Sequence, residues 1–211
     1  MEELSLEKQS RDEEIWNDDL IIAIQKKLES EFTKIKVIKG KVLKDIFLHN
    51  EKGNYSLQFG FVDQDIIIYE ETMDITDLQN AENIKLHKNN LRNSTDLIIP
   101  QVICELKYNG ITSHGLIIYS DYAAQIKSIF PDCKYFLAMK YKKSSTINKL
   151  FRHGRHFDKI IAFDNGKSKG KYKKGDFLTE LENNSDLRDI FEEFVDEIKK
   201  VLRVKKTYFM K

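Results

Sequence analysis

Two apolar segments that carry charged residues constrain most strongly what this 211-residue chain can fold into. Residues Val102–Lys107 and Asp65–Tyr69 are apolar enough for buried strands, yet each contains acidic or basic groups that a buried strand normally avoids. Alternate side chains of a strand point to opposite faces, so Glu105 and Lys107 project side by side. If the two strands pair, the carboxylate of Asp65 joins them. The sequence therefore predicts a charged cluster on a mostly apolar sheet.

The apolar periodicity along the chain predicts an α/β domain. Helical spacing indicates helices over residues 12–32, 116–130, 147–157 and 185–203, and alternation or short apolar runs indicate strands over 55–62, 65–69, 97–107, 135–139 and 158–163. Residues 35–48 fit a strand or a helix end before a turn at 50–53, and 166–175 read as a lysine-rich loop. This order predicts one domain over residues 1–211, with a central mixed β-sheet flanked by helices and an insertion at Glu70–Ser94.

Composition excludes two classes of protein and sets an expected compartment. The sequence has no apolar run of the ~18 residues that a membrane helix needs, and its polar start argues against a secretory signal. Cys104 and Cys133 lack zinc-ligand spacing, which favours small core residues in a reducing environment over a disulfide or a metal site. We therefore expect a cytoplasmic protein with no membrane contact.

Positive charge is concentrated in one segment although the whole chain carries a net charge of only +1. Residues 134–174 contain thirteen Lys or Arg and two Asp, a net charge of +11, whereas both ends of the chain are rich in acidic residues. Segregated charge of this kind is typical of a protein that presents one face to a polyanion. Lysines that only solvate loops are the alternative.

The best candidates for DNA contact lie in and just before this basic segment. Lysines and hydroxyls suit phosphate oxygens, and arginines can read guanine edges in the major groove. The predicted contacts are Ser113, His114, Lys140, Lys142, Lys143, Lys149, Arg152, Arg155 and His156. Arg152, Arg155 and His156 have helical spacing and are expected to share a helix face.

The order Asp65, then Glu105-Leu106-Lys107, resembles the PD-(D/E)XK nuclease superfamily over roughly residues 55–163. The resemblance implies a restriction-endonuclease-like fold and a Mg²⁺ ion held by Asp65, Glu105 and the backbone carbonyl of Leu106, with Lys107 positioning water or stabilising charge. It also implies a type II restriction enzyme that acts as a homodimer on double-stranded DNA. A structure-specific repair or junction-resolving nuclease and a non-cleaving DNA-binding module remain open as alternatives.

The identity of the first acidic ligand stays open at the level of sequence, because the separation of Asp65 from Glu105 departs from the short form of the pattern. Asp63 has the same strand parity as Asp65, and Asp96 lies closer to Glu105 along the chain. Glu29 and Glu31 end the first helix, where related nucleases sometimes have an additional acidic ligand, but a solvated helix face is the favoured interpretation.

Overall fold

The computed structural model describes residues 2–71, 98–141, 146–164 and 172–208. Within these ranges the helices are α1 (Glu2–Glu29), α2 (Ser113–Ile129), α3 (Thr146–His153), α4 (Asp176–Asn183) and α5 (Ser185–Tyr208). The strands are β1 (Ile35–Glu51), β2 (Asn54–Glu70), β3 (Val102–Lys107), β4 (Lys134–Tyr141) and β5 (Lys159–Asp164). Most of the predicted insertion, from residue 72 onward, lies outside the described residues.

The five strands form one mixed sheet in the order β1-β2-β3-β4-β5. The pairs β1–β2 and β2–β3 are antiparallel, whereas β3–β4 and β4–β5 are parallel and are connected through helices. The predicted fold class, an α/β domain with a central mixed sheet flanked by helices, is confirmed. No helix in the described ranges is both long and apolar enough to cross a membrane.

The two faces of the sheet carry separate apolar clusters, and β3 divides between them as its alternation predicts. Cys104 packs in one cluster with Trp16 of α1 and Phe194 of α5, and so do Val102 and Leu106, which lie on the same face of β3. Ile103 packs on the other face with Ile126 of α2. The long helices at the two ends of the chain therefore cover one face, and α2 covers the other.

A long hairpin of β1 and β2 forms one edge of the sheet. Its turn has positive φ at Lys52 (51°) and Gly53 (88°), the conformation of a tight hairpin turn that matches strand twist. The register shifts twice, between Ile38 and Gly40 and between Leu43 and Asp45. Such β-bulges bend a strand and redirect its side chains.

One local prediction was wrong, and one helix was not predicted. β3 begins at Val102 rather than Leu97, and the described residues just before it, which include Pro100, have no regular structure. Helix α4 was not predicted, because eight residues after a lysine-rich stretch give little periodic signal. Its start is stabilised from a distance, since the buried carboxylate of Asp19 accepts the Gly175 N–H at 2.8 and 2.9 Å.

Candidate active site

A charged cluster forms where β2 and β3 separate. Their paired residues end at Ile66 and Cys104, and continuing the same register places Asp65 opposite Glu105. The N–H of Leu106 donates to Oδ2 of Asp65 at 2.8 Å, so a side-chain carboxylate takes the place of a strand carbonyl. This hydrogen bond holds Asp65 against β3, the strand that contains Glu105 and Lys107.

The bulge between β1 and β2 directs Asp65 toward helix α1. Ile38 pairs with Ile67 and Gly40 pairs with Gln64, so two residues of β2, Asp65 and Ile66, oppose a single residue of β1. The Asn17 amide of α1 lies 3.4 Å from Oδ1 of Asp65. The preceding residue, Gln64, instead accepts the hydroxyl of Tyr135 at 2.6 Å, in the cluster on the α2 side.

Lys107 is the cation at the centre of the cluster. Its Nζ lies 2.7 Å from Oε1 of Glu105 and 3.5 Å from Oε1 of Glu13, a residue of α1. The ammonium also lies 4.5 Å from the ring centroid of Tyr119 in α2, within the range of a cation–π contact. We call Glu13, Asp65, Glu105 and Lys107 the charged cluster. Lys107 thus contacts helices on both faces of the sheet, Glu13 of α1 on one side and Tyr119 of α2 on the other.

Burial makes the protonation of this cluster sensitive to pH. Desolvation raises the pKa of Glu105 to about 7, against the attraction of Lys107 and with added repulsion from Asp65. Desolvation also raises the pKa of Glu13. For Lys107, burial alone would lower the pKa, but Glu105 and Glu13 outweigh it, and the pKa of the ammonium is raised. Lys107 is therefore a charged group at neutral pH, and Glu105 is poised to exchange a proton.

The chemistry of this cluster fits a hard divalent cation, although the side chains are not arranged around one ion. In the part of the chain that the structure describes, no three His, Cys, Asp or Glu side chains are close enough together to hold a metal. Instead the Lys107 ammonium neutralises two of the carboxylates. The available donors are carboxylate oxygens and the Leu106 carbonyl, which are ligands of the type that Mg²⁺ prefers. Burial is the main cause of the raised pKa of Glu105, and an added cation would stabilise the buried carboxylate and relieve its repulsion with Asp65.

The other acidic candidates lie away from the charged cluster or outside the described residues. Asp63 is exposed on β2 opposite Lys41 of β1, and Asp96 lies outside the described residues. Glu31 pairs with Arg203 at 2.7 Å at the opposite end of α1 from the charged cluster. The acid of α1 that reaches the charged cluster is instead Glu13, near the start of the helix.

Glu13 was missed, although the sequence contains a signal for it. It precedes the buried residues Trp16, Leu20 and Ile24 by three, seven and eleven positions, and so lies on the apolar stripe of α1. A glutamate on an apolar stripe either is neutralised by a partner or serves a site. Asn17, four residues later on the same stripe, is also buried.

Among the predicted DNA-contact residues that the structure describes, one is buried. Lys140 is buried, with 2% of its side chain exposed, and forms an ion pair with Glu180, so its predicted place on a DNA-binding surface is wrong. Lys134 and Lys159 of the same segment also pair with acidic side chains, Asp158 and Glu193. Lys142 and Lys143 lie outside the described residues.

The remaining candidates lie on and near α2 and α3. Arg152 and Arg155 are exposed, whereas Lys149 and His156 are half-buried. Helix α3 ends at His153, so Arg155 and His156 belong to a turn and the predicted shared helix face was wrong. The His156 carbonyl accepts the Lys127 ammonium of α2 at 2.7 Å, which holds that turn on α2.

The first turn of α2 contains the last two candidates, Ser113 and His114. Helix α2 begins at Ser113, and Thr112 caps it by accepting the Gly115 N–H at 3.0 Å. His114 is exposed and Ser113 is half-buried. Both remain predicted contacts.

Comparison with known proteins finds little similarity. No family model matches the chain, and no curated protein matches it. One similar solved structure is that of the native BbvCI A2B2 tetramer at low resolution, with a TM-score of 0.44 and 14% sequence identity. The alignment covers 80% of this chain and 59% of that one, so the chain spans about three fifths of the length of its neighbour.

Proposed function

We propose that this protein is a Mg²⁺-dependent endodeoxyribonuclease that hydrolyses phosphodiester bonds in double-stranded DNA, most like a type II restriction enzyme acting as a homodimer. One observation carries the proposal: Asp65, Glu105 and Lys107, the three residues of the superfamily pattern, converge where β2 and β3 separate. A strand that only packed against its neighbours would gain nothing from three buried or half-buried charges at that point.

The protein's own groups divide the work of phosphodiester hydrolysis. Glu105 has a pKa of about 7 without metal, so its carboxylate binds the cation in competition with a proton and acts as a ligand. The Lys107 ammonium stabilises the negative charge that develops on the phosphoryl oxygens, because it stays protonated. Glu13 keeps that ammonium beside Glu105, and the Leu106 N–H fixes the position of Asp65.

Magnesium belongs to the same proposal. Asp65, Glu105 and the Leu106 carbonyl would hold the ion, which when bound supplies charge neutralisation at the phosphate and lowers the pKa of water. The donors are all oxygen, and repulsion from the neighbouring carboxylates contributes to the raised pKa of Glu105. Glu13 is a further carboxylate beside this group through its contact with Lys107.

The test is cleavage of a long plasmid with Mg²⁺ by the unaltered protein and by isosteric variants. We expect discrete bands from the unaltered protein and loss of at least about 100-fold in rate for Asp65→Asn and Glu105→Gln, since each removes a charge needed in the transition state. Asp63→Asn is the matched control, because Asp63 is exposed two residues away on the same strand. Full activity of Asp65→Asn together with an inactive Asp63→Asn would refute the assignment. Binding without any cleavage would favour a non-cleaving module, and cutting confined to branched DNA would favour a junction-resolving nuclease.

DNA contact by the exposed arginines is tested separately through salt dependence. Each neutralised phosphate releases counterions, so replacing Arg152 and Arg155 with Ala should weaken binding and reduce the slope of log affinity against log salt by about 1 for each phosphate that is no longer neutralised. Lys159→Ala is the control, because its ammonium is already paired with Glu193. An unchanged slope in the double variant would show that these arginines only solvate the surface.

A further inference from the structure

The distal half of the β1–β2 hairpin extends beyond the packed layers. We call residues 46–59 the arm; they follow the second bulge, and each of them is exposed. An isolated two-stranded ribbon is at best marginally stable in water, and three strands or a packing partner are normally needed. The arm is therefore a segment whose stability depends on something that covers it.

The register of the arm gives it one apolar face and one polar face. Cross-strand pairs on the first face are Ile46 with Phe59, Leu48 with Leu57, and Asn50 with Tyr55. On the opposite face Phe47 lies across from Gln58, and the next pair, His49 and Ser56, is polar. Side chains of directly opposed residues share a face, so five large apolar side chains form one continuous patch. A contiguous patch of this kind marks an interaction surface.

We propose that a second copy of this chain packs against the apolar face of the arm. The exposed fractions of Ile46, Leu48, Tyr55, Leu57 and Phe59 are 50%, 67%, 67%, 60% and 37%. With roughly 200 Å² of surface per large apolar side chain, this amounts to about 560 Å² in each copy. Complete burial of this patch in both copies would remove about 1,100 Å² from water, close to the roughly 1,000 Å² expected of a specific interface.

Charge and symmetry favour a second copy over nucleic acid. The arm contains one acidic residue, Glu51, and one basic residue, Lys52, so its formal charge is zero with His49 neutral, and the apolar face has no charged side chain. Binding to a phosphate backbone depends on cationic groups, which that face lacks. A two-fold axis brings the same patch on two chains together, and two such sheet faces can interdigitate at about 10 Å.

The inference names the surface behind the homodimer in the proposed function, but its geometry is independent of catalysis. Self-association can be measured without DNA or metal. A dimer that does not cleave DNA would contradict the nuclease proposal and leave the arm interface standing. A monomer that cleaves DNA would contradict the arm interface and leave the nuclease activity standing.

The experiment is sedimentation equilibrium of the full chain in the absence of DNA, with two neighbouring variants. The unaltered 24.8 kDa chain should sediment as a dimer at micromolar concentration. Leu57→Asp places an unpaired carboxylate in the interface and should weaken association by at least about 100-fold. Gln58→Asp adds the same charge one residue away on the polar face and should change it by less than about threefold. Leu57 is exposed and lies outside the helices, so both variants should keep the helical part of the circular dichroism spectrum.

Two results would overturn the inference: a monomeric unaltered protein at about 100 μM, and equal effects of the two variants on association. If the unaltered protein is a monomer, a loss of thermal stability in Leu57→Asp alone would show that the arm packs on its own chain. A loss of DNA affinity in Leu57→Asp alone would show that the arm contacts DNA. A dimer that is disrupted by Leu57→Asp and kept by Gln58→Asp would support the inference.

Discussion

Replacing Glu105 with Gln should remove most of the stability that the unaltered chain loses between pH 5 and pH 8, an amount that can be calculated from the buried carboxyl. The pKa of Glu105 is raised by burial from 4.5 to about 7 in the folded state. The folded chain therefore binds a proton more tightly than the unfolded chain, and stability falls as pH rises from about 4.5 through 7. Gln at this position has the same shape and does not titrate.

The size of the effect follows from about 1.4 kcal/mol per pKa unit. For a shift from 4.5 to about 7, linkage gives a loss of about 2.5 kcal/mol in the free energy of unfolding between pH 5 and pH 8. Urea unfolding followed by circular dichroism at both pH values, for the unaltered protein and Glu105→Gln, measures this difference directly. A difference between the two proteins that stays within about 0.5 kcal/mol across the pH range would refute the reasoning, since it would show no raised pKa.

Glu31, a carboxyl at the surface, supplies the control, because its pKa is shifted in the opposite direction from that of Glu105. The hydrogen bond from Arg203 lowers the pKa of Glu31, so its contribution is present at neutral pH and is lost as pH falls through the folded pKa. Glu31→Gln should therefore flatten the acid side of the curve and leave the interval from pH 5 to 8 unchanged.

Adding Mg²⁺ to the same experiment tests the cofactor. At tenfold its dissociation constant, the ion should stabilise the unaltered protein at pH 8 by about 1.4 kcal/mol. It should have a much smaller effect on Glu105→Gln, because one proposed ligand charge is removed.

Three further substitutions test the supports of the site and the core. Tyr135→Phe removes the donor to Gln64, whose Nε2 already lacks a partner among the described residues, and should cost about 1–3 kcal/mol in urea unfolding and reduce cleavage. Asp19→Asn weakens the acceptor for the Gly175 N–H and should cost about 1–3 kcal/mol by the same measurement. Trp16→Ala removes a fully buried ring that packs edge-on against three aromatic rings and should cost about 3–5 kcal/mol, so a thermal melt that is unchanged would contradict the core assignment.

The residues of β3 were predictable because strand periodicity and chemistry agree in one short segment. Alternation alone puts Val102 and Leu106 on one face and Glu105 on the other, and the structure has this division. The position of Asp65 was predicted from its place at the start of an apolar run, but the bulge that directs it toward α1 was not. A bulge depends on the register of two strands, and that information is spread over the partner strand as well.

Other features depend on contacts between distant segments. Lys140 stands in a basic stretch and reads locally as a surface residue, yet its ammonium pairs with Glu180, forty positions later in an unpredicted helix. Sequence-local reasoning treats every lysine of a basic run alike, because only the tertiary fold decides which ammonium has a carboxylate partner. For the same reason the net charge of residues 134–174 overstated the exposed positive surface.

The electrostatics of the charged cluster argue for function beyond the resemblance in its pattern. A leucine at position 105 would bury as well as its neighbours and would remove the proton-linked loss of stability that Glu105 brings above pH 5. The chain instead surrounds that carboxyl with Lys107, Glu13 and Asp65, drawn from α1, β2 and β3. Three elements thus converge to keep in place a residue that packing alone would disfavour. Destabilising groups held by several independent elements are expected at functional sites.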